Sequence, residues 1–295
     1  MREATRGSTV PRRQLGRHLR DARGKARLTV RAAAKALEWS EAKLWRIESG
    51  QSPMRVLDVE SMCRVYGAPE DLTKALMELA KETKERGWWH AHSDVMPAWF
   101  SVYVGLEEAA ASLWEYQAEL VPGLFQTADY ARALIVANKP DAAPEENEGR
   151  VQLRMARQTL LTRVTNPPTI TVVLNEAVLR RAVGGPAVMA RQCTRLIGLS
   201  ELPNVTLHVL PFSTGLHHGL LSGPFTLLRF PPTVNGSEIE PPTVYAEGLT
   251  GALYLDQPDE TSRFVTMSDR ITEMLDQSGA TTRRLLDNAV KEYST

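Results

Sequence analysis

Apolar residues recur at helical spacing through the first eighty residues. Between Gln14 and Ala26, Leu15, Leu19 and Ala22 share one face with Arg and His around them, which predicts a first helix. Ala33 and Leu37 mark the inner side of a second helix over Val30–Leu37, with Thr29 as its N-cap. Glu38-Trp39 forms a tight turn, and Ser40 caps a third helix that runs to Ser49 with Leu44 and Ile47 inward and Gly50 as its stop. Val59, Met62, Cys63 and Tyr66 stand at i, i+3, i+4 and i+7, the stripe of a fourth helix that Gly67 ends. Pro69 opens a fifth, striped by Leu72, Leu76 and Leu79.

The texture then changes. Lys81–Arg86 is charged and leads into GWWHAHSDVMPAWFSVY, whose Trp88, Trp89, Trp99, Phe100 and Tyr103 are too apolar for a free linker and are expected to dock onto another domain or subunit. Leu106–Leu120, Gln126–Ala137 and Glu145–Leu161 read as helices, separated by Pro122-Gly123 and by a loop over Asn138–Ala143. From Thr169 the segments ITVVLNEA, VTLHVLPF, PFTLLRF, TVYAEG and GALYLD are short β-branched or aromatic runs bounded by Pro, Gly and Asn, hence strands. Helices are expected at Pro186–Leu199, Glu260–Gln277 and Ala280–Tyr293. Strands that cluster, instead of alternating strictly with helices, predict an α+β domain with a mainly antiparallel sheet and flanking helices. The chain is thus expected to comprise a flexible basic arm (1–12), an all-α five-helix domain (13–80), a Trp-rich junction (81–103) and an α+β domain (104–295).

Two domains suit a chain of 295 residues. The net charge of zero conceals an asymmetry: residues 1–50 hold 13 Lys/Arg against 5 Asp/Glu, and the rest hold 22 against 30. A basic head on an acidic body points to a polyanion partner, although charge alone fits a solvated helix face equally well. Cys63 and Cys193 are isolated in apolar helical patterns, so they read as buried thiols in a reducing compartment. No apolar run approaches the roughly 20 residues that span a bilayer, and the N-terminus lacks a hydrophobic leader core, so a cytoplasmic protein without a membrane partner is expected.

Two short helices across a tight turn, the second carrying basic residues, form the pattern of a helix-turn-helix. The major groove of B-DNA admits one helix, and base edges are read from near that helix's N-terminus. The third helix is expected to offer Ser40, Glu41, Ala42, Lys43 and Arg46 outward. Thr29 and Arg31 at the start of the second helix suit phosphate contact, as does Arg46, and Ser52 and Arg55 beyond the third could reach the DNA backbone. Glu41 accepts from a cytosine amino group but repels phosphate, which makes the base preference unusual. Trp39 and Trp45 are expected to pack on neighbouring helices in preference to stacking on DNA.

Four segments, LGRHLRDAR, LTVRAAAKAL, WSEAKLWRIESG and CRVYGAP, make residues 14–66 resemble the Xre-type (phage Cro/repressor-like) helix-turn-helix family. The resemblance implies a five-helix domain. It also implies a structural ion pair between Arg23 and Glu48 that fixes the recognition helix without touching DNA. Where that family often has Gln or Ser at the first base-reading positions, this chain has Glu41 and Ala42. From about 104 to 290, YQAELVPGLFQTADYARALI, VLNEAVLRRAVGGP, LPNVTLHVLPFSTGLHHG, GPFTLLRF and VYAEGLTGALYLDQPDE resemble a domain of unknown function that accompanies Xre-type modules in actinobacterial, WhiJ-like regulators. That domain is also described as antitoxin-like, and its members are commonly encoded beside a very small protein. The resemblance therefore implies that this part binds a small partner protein or senses a signal.

No enzymatic signature stands out, and no catalytic residue, cofactor or metal site is expected. His217-His218 with His208 or Asp256 lacks zinc spacing and reads as a surface or pocket-lining loop. His90, His92 and Asp94 beside two tryptophans read as packing. AVGGPA lacks the Walker lysine, and Ser222-Gly223 lacks a nucleophile elbow. Glu176 and Glu247 could form an acid–base pair only if the fold joined them, and Arg180-Arg181 read as salt-bridge partners. The expectation is a dimeric, repressor-like transcriptional regulator that binds a double-stranded DNA operator as a homodimer. The second domain would take a small protein or small-molecule signal. The alternative is an antitoxin-like module that neutralises a small partner, with DNA binding secondary.

Overall fold

The computed structural model describes residues 9–50, 52, 54–82, 96, 98–231, 240–249 and 251–294. Two compact units divide the chain, Met1–Ala91 and His92–Thr295.

The first unit holds five helices: α1 (Thr9–Lys25), α2 (Val30–Ala36), α3 (Glu41–Glu48), α4 (Val56–Tyr66) and α5 (Glu70–Glu82). Leu15, Leu19, Ala33, Leu44, Ile47, Val59, Met62, Cys63 and Leu76 form its core, which is the union of the apolar stripes. Helix α1 starts earlier than the sequence suggests. Residues 9–12 continue it and Arg12 is buried, so the expected arm shrinks toward residues 1–8, which lie outside the described residues. The turns are closed by left-handed residues: Glu38 at φ 56° after α2, and Gly67 at φ 64° after α4. At Glu38 the following Trp39 N–H reaches back to Ala34 O at 2.9 Å, a capping geometry that glycine usually supplies. Gly16 is required by packing, because a Cβ there would sit 2.7 Å from the carbonyl oxygens of Ile47 and Glu48. Its absence lets α1 lie directly on the end of α3.

The second unit begins with α6 (Ala98–Ala109), β1 (Ser112–Gln117), α7 (Ala128–Asn138) and α8 (Pro144–Arg157), which tightens into a 3-10 turn over Gln158–Thr162. It continues with β2 (Thr169–Asn175), α9 (Ala177–Arg180), α10 (Pro186–Leu199), β3 (Val205–Leu210) and α11 (His218–Ser222). Then come β4 (Phe225–Arg229), β5 (Thr243–Gly248), β6 (Gly251–Leu255), α12 (Pro258–Glu273) and α13 (Ala280–Tyr293). One six-stranded sheet has the order β3-β2-β1-β4-β5-β6. β1, β2 and β3 run parallel, and β4, β5 and β6 join antiparallel, so three of the five pairings are antiparallel. The α+β class holds, with a parallel half that the clustering of strands did not suggest.

The helix expected over Leu106–Leu120 is overturned: α6 ends at Ala109 and Ser112–Gln117 is the central strand β1, paired with β2 and β4. Trp114, Glu115, Tyr116 and Gln117 alternate apolar and polar, but the run is only four residues long, and both faces are covered, so its polar side carries a buried carboxylate instead of a solvated one. Trp114 and Tyr116 on one face meet Phe225 and Leu227, with Phe264 and Ile271 of α12 packed above. On the other face Tyr103 of α6 packs on Tyr245 of β5, ring centroids 4.1 Å apart. Phe100 stacks on Tyr103 at 5.7 Å, so these two members of the expected junction belong to the second unit's own core. Trp88 and Trp89, with the side chain of Trp99, lie outside the described residues.

That second face also buries charge. Arg157 donates to Glu107 through Nε at 2.9 Å and Nη2 at 2.7 Å, and the pair is 6% and 2% exposed. Nearby Glu115 is buried, with the Gln117 amide donating to it at 2.7 Å. Burial pushes the Glu115 carboxyl up to about 7, against a hydrogen bond from Gln117 that pulls the other way. An unfolded chain releases this proton near 4.5, so the Glu115 contribution to stability falls between pH 4.5 and 7, at about 1.4 kcal/mol per pH unit, and is level outside that window. Glu115→Gln should therefore match the parent at pH 4 and exceed it by roughly 3 kcal/mol at pH 8. Denaturant titrations at the two pH values check this, and equal differences at both would remove Glu115 as the cause.

Candidate nucleic-acid interface

The recognition element is built from two capped helix starts and one clamp. Thr29 Oγ1 accepts from Ala32 N at 3.1 Å, and Ser40 Oγ accepts from Lys43 N at 3.2 Å, so each short helix begins at a fixed residue. The clamp is Arg23. Its Nε and Nη2 donate to the two Glu48 carboxylate oxygens at 2.7 and 2.9 Å, and its Nη1 donates to Leu28 O at 2.8 Å. Tyr66 adds a hydroxyl donation to Glu48 at 3.4 Å. The hydrogen bond to Glu48 raises the Arg23 pKa despite burial, while burial and the neighbouring Glu48 raise that of Tyr66. One guanidinium thus ties α1, the α1–α2 loop and the last turn of α3 together, and the loop's angle to the recognition helix is set.

Within α3, Leu44, Ile47 and Glu48 are buried, while Glu41, Ala42, Trp45 and Arg46 are exposed. At 100° per residue these four exposed positions share an arc of about 140°. Arg46 lies along that face, with its Nε donating to Ala42 O at 3.2 Å. Arg31 and Arg55 are exposed beside the starts of α2 and α4, and Ser52 is half-buried. Exposed guanidinium groups at helix starts can hold phosphates, and one on the recognition helix can bind a guanine edge in two-point fashion.

Lys43 is 41% exposed at its side chain, and its Nζ sits 3.5 Å from the Trp39 ring centroid and 3.9 Å from Asp58 Oδ1 at the start of α4. The ring face and the carboxylate both attract the ammonium, so Lys43 also supports the turn. Trp39 is half-buried against the helical core, as expected of an aromatic beside a turn. Trp45 is not: it is 56% exposed on the outer face. The angular position of residue 45, opposite Leu44 and Ile47, carries that information in the sequence, but the usual habit of tryptophan outweighed it.

The second unit does not assemble an alternative site from the sequence candidates. Glu176 is taken up by structure: it accepts from Phe212 N at 2.9 Å and from Arg180 at 2.8 Å. Burial works against its charge, yet the Phe212 N–H and Arg180 outweigh it and hold the carboxyl below its usual range. Glu247 accepts from Tyr245 Oη and lies three strands away from β2, roughly 14 Å across the sheet, so the two carboxylates do not meet. Arg180 also pairs with Glu292 at 2.7 Å, and Arg181 pairs with Glu119. His217 is buried, not on the surface. Asn175 Nδ2 donates to its Nε2 at 3.3 Å while Asn175 Oδ1 accepts from Ala177 N, a tie between the ends of β2 and the α11 loop. Burial lowers the pKa of both His217 and His208. No cluster of His, Cys, Asp or Glu among the described residues could hold a metal, and His90, His92 and Asp94 lie outside them. A surface cleft of about 550 Å³ between α7 and α8 includes Arg132, whose guanidinium is engaged by Glu148 and Asp129. No helix among the described residues is long and apolar enough to cross a membrane.

Residues 14–76 match the family described as a helix-turn-helix domain, and residues 100–287 match the one described as a domain of unknown function, DUF5753. No curated protein and no solved structure matches the chain.

Proposed function

We infer that this chain, which belongs to the DUF5753 family and carries a helix-turn-helix domain ahead of the family's own, is a sequence-specific DNA-binding regulator of transcription. The observation that carries the reading is the outer face of α3, which a part-buried ion pair and two caps hold in place while Glu41, Ala42 and Arg46 stay in solvent. On this reading Arg46 and Glu41 read bases, while Thr29, Arg31, Ser40, Ser52 and Arg55 position the DNA backbone. Arg23 and Glu48 are scaffold, and Lys43 braces the turn. The protein is Xre-type, cytoplasmic and homodimeric, with two copies of α3 about one DNA turn, roughly 34 Å, apart on a near-palindromic operator.

A gel shift on the DNA upstream of the protein's own gene tests this. Binding should weaken steeply with salt, since phosphate contacts release counterions. Arg46→Ala should lose about 5- to 150-fold in affinity, the worth of a two-point guanine contact, with an unchanged unfolding midpoint. Binding that survives intact would take Arg46 out of the groove, and absence of salt-sensitive binding there and genome-wide would overturn the function.

The second domain supplies the controlling interaction, with a small protein or a small-molecule signal. One observation favours a protein: Phe212, Leu216, Leu220 and Leu221, all in the segment between β3 and β4, are exposed. An antitoxin-like role, with DNA binding reserved for autoregulation, is the second reading. Copurification with a neighbouring gene's product in a complex free of DNA would favour it over the first.

A further inference from the structure

We propose that Trp45 is a base-reading residue whose indole packs on the 5-methyl group of a thymine in the major groove, which would make this regulator's operator thymine-dependent at one position of each half-site. The inference rests on the DNA-binding reading above and names what one position of its interface recognises.

Trp45 stands one helical turn after Glu41 and three residues after Ala42, within the exposed arc of α3. Its neighbours on the inner side, Leu44 and Ile47, are at most 2% exposed, whereas Trp45 is 56% exposed. The other tryptophan of this region, Trp39, finds a shelf on the core and a cation above its ring. Trp45 therefore stays in solvent on the element that a groove would cover, although packing partners were available to a tryptophan six residues earlier.

The geometry of the helix says what it would touch. Side chains on a helix lean toward its N-terminus, so a long residue covers the surface above the preceding turn. Above Trp45 that surface is shared by Glu41, four residues before, and by Ala42, three before, which contributes only a methyl group and leaves room for the ring on its side. An aromatic surface then lies beside the small Ala42 side chain on this arc. Among the major-groove edges, the thymine 5-methyl is the apolar group, and an apolar side chain distinguishes thymine there from the other bases. Glu41 and Arg46, which flank the indole on the arc, keep the polar readout for cytosine and guanine.

The experiment uses the full chain and a random-sequence duplex pool. A pool that enriches no sequence overturns the DNA-binding reading, and this inference with it. With an enriched site in hand, each thymine is replaced singly by deoxyuridine, which removes only the methyl, and affinities are measured for the parent and for Trp45→Ala. One thymine per half-site should lose about fourfold on methyl removal in the parent, the worth of one buried methyl group. Trp45→Ala should bind the thymine and deoxyuridine duplexes equally. Parent binding that no deoxyuridine disturbs overturns the proposal while leaving the function standing. So does a methyl effect that persists in Trp45→Ala, or a Trp45→Ala variant that keeps parental affinity but loses self-association, since the indole would then serve a second copy of the chain. Trp45→Leu retains an apolar surface and should restore part of the methyl effect, separating loss of contact from loss of fold.

Discussion

Glu48→Ala should destabilise the helical unit by about 3–5 kcal/mol and abolish DNA binding with it. Glu48 is 5% exposed and holds both of the Arg23 donors that face it, with a third donation from Tyr66. Removing the carboxylate leaves a guanidinium that is 14% exposed without its counter-charge, and desolvation of an unpaired ion dominates the cost. The effect on DNA follows from position. Glu48 is the last residue of α3, and the same Arg23 holds the Leu28 carbonyl, so the recognition helix loses its tie to α1 and to the entry of α2. Denaturant unfolding with amide exchange in α3 reads the first part, and a gel shift reads the second. The double variant Arg23→Met/Glu48→Leu should recover much of the stability, because an apolar pair of similar volume carries no desolvation penalty. A Glu48→Ala loss below about 1 kcal/mol would place the pair among ordinary surface ion pairs.

Glu107→Ala should cost the sheet domain a comparable amount, about 3–5 kcal/mol. Its partner Arg157 is 6% exposed and lies 4.9 Å from the Phe100 ring and 5.5 Å from that of Tyr103. Burial opposes the Arg157 charge, and Glu107 outweighs it so that the pKa is raised. Without Glu107 the cation keeps two aromatic faces but no strong acceptor. Those faces are worth about 2 kcal/mol when desolvated, too little to replace the carboxylate. Removal of Glu107 also takes away one like charge that helps to raise Glu115, while burial, the larger cause, remains. The acid-side rise in stability attributed to Glu115 should therefore persist in the variant. A denaturation midpoint close to the parent's would show that the pair is reached by water, contrary to its burial.

The sequence carried most of the helical unit because each element there is short, capped and one-sided. Thr29, Ser40 and Gly67 mark their boundaries by local chemistry, and the stripe from Val59 to Tyr66 reports a single buried face. The same logic located β2 through β6 and the bounds of α10 and α13. It failed at Ser112–Gln117, where the alternation of Trp114, Glu115, Tyr116 and Gln117 spans only four residues and α6 ends only three residues before. It missed α9 and α11, of four and five residues, since neither completes enough turns to show a pattern. The contact of Lys43 with Asp58, fifteen residues on, is one that no helical wheel includes.

By itself, then, the sequence determined that a basic helix-turn-helix precedes an α+β domain, because capping and amphipathicity act within a few residues and leave their trace in residue order. Tertiary structure decided that Arg157 meets Glu107 inside the sheet domain, because the partners lie 50 residues apart and meet only when the helices pack; the Arg23–Glu48 pair, 25 residues apart, was legible only through the family resemblance. Tertiary structure also decided that Trp45 is left in solvent. Burial is a property of the neighbours that a fold brings, and for residue 45 the fold leaves more than half of the side chain uncovered.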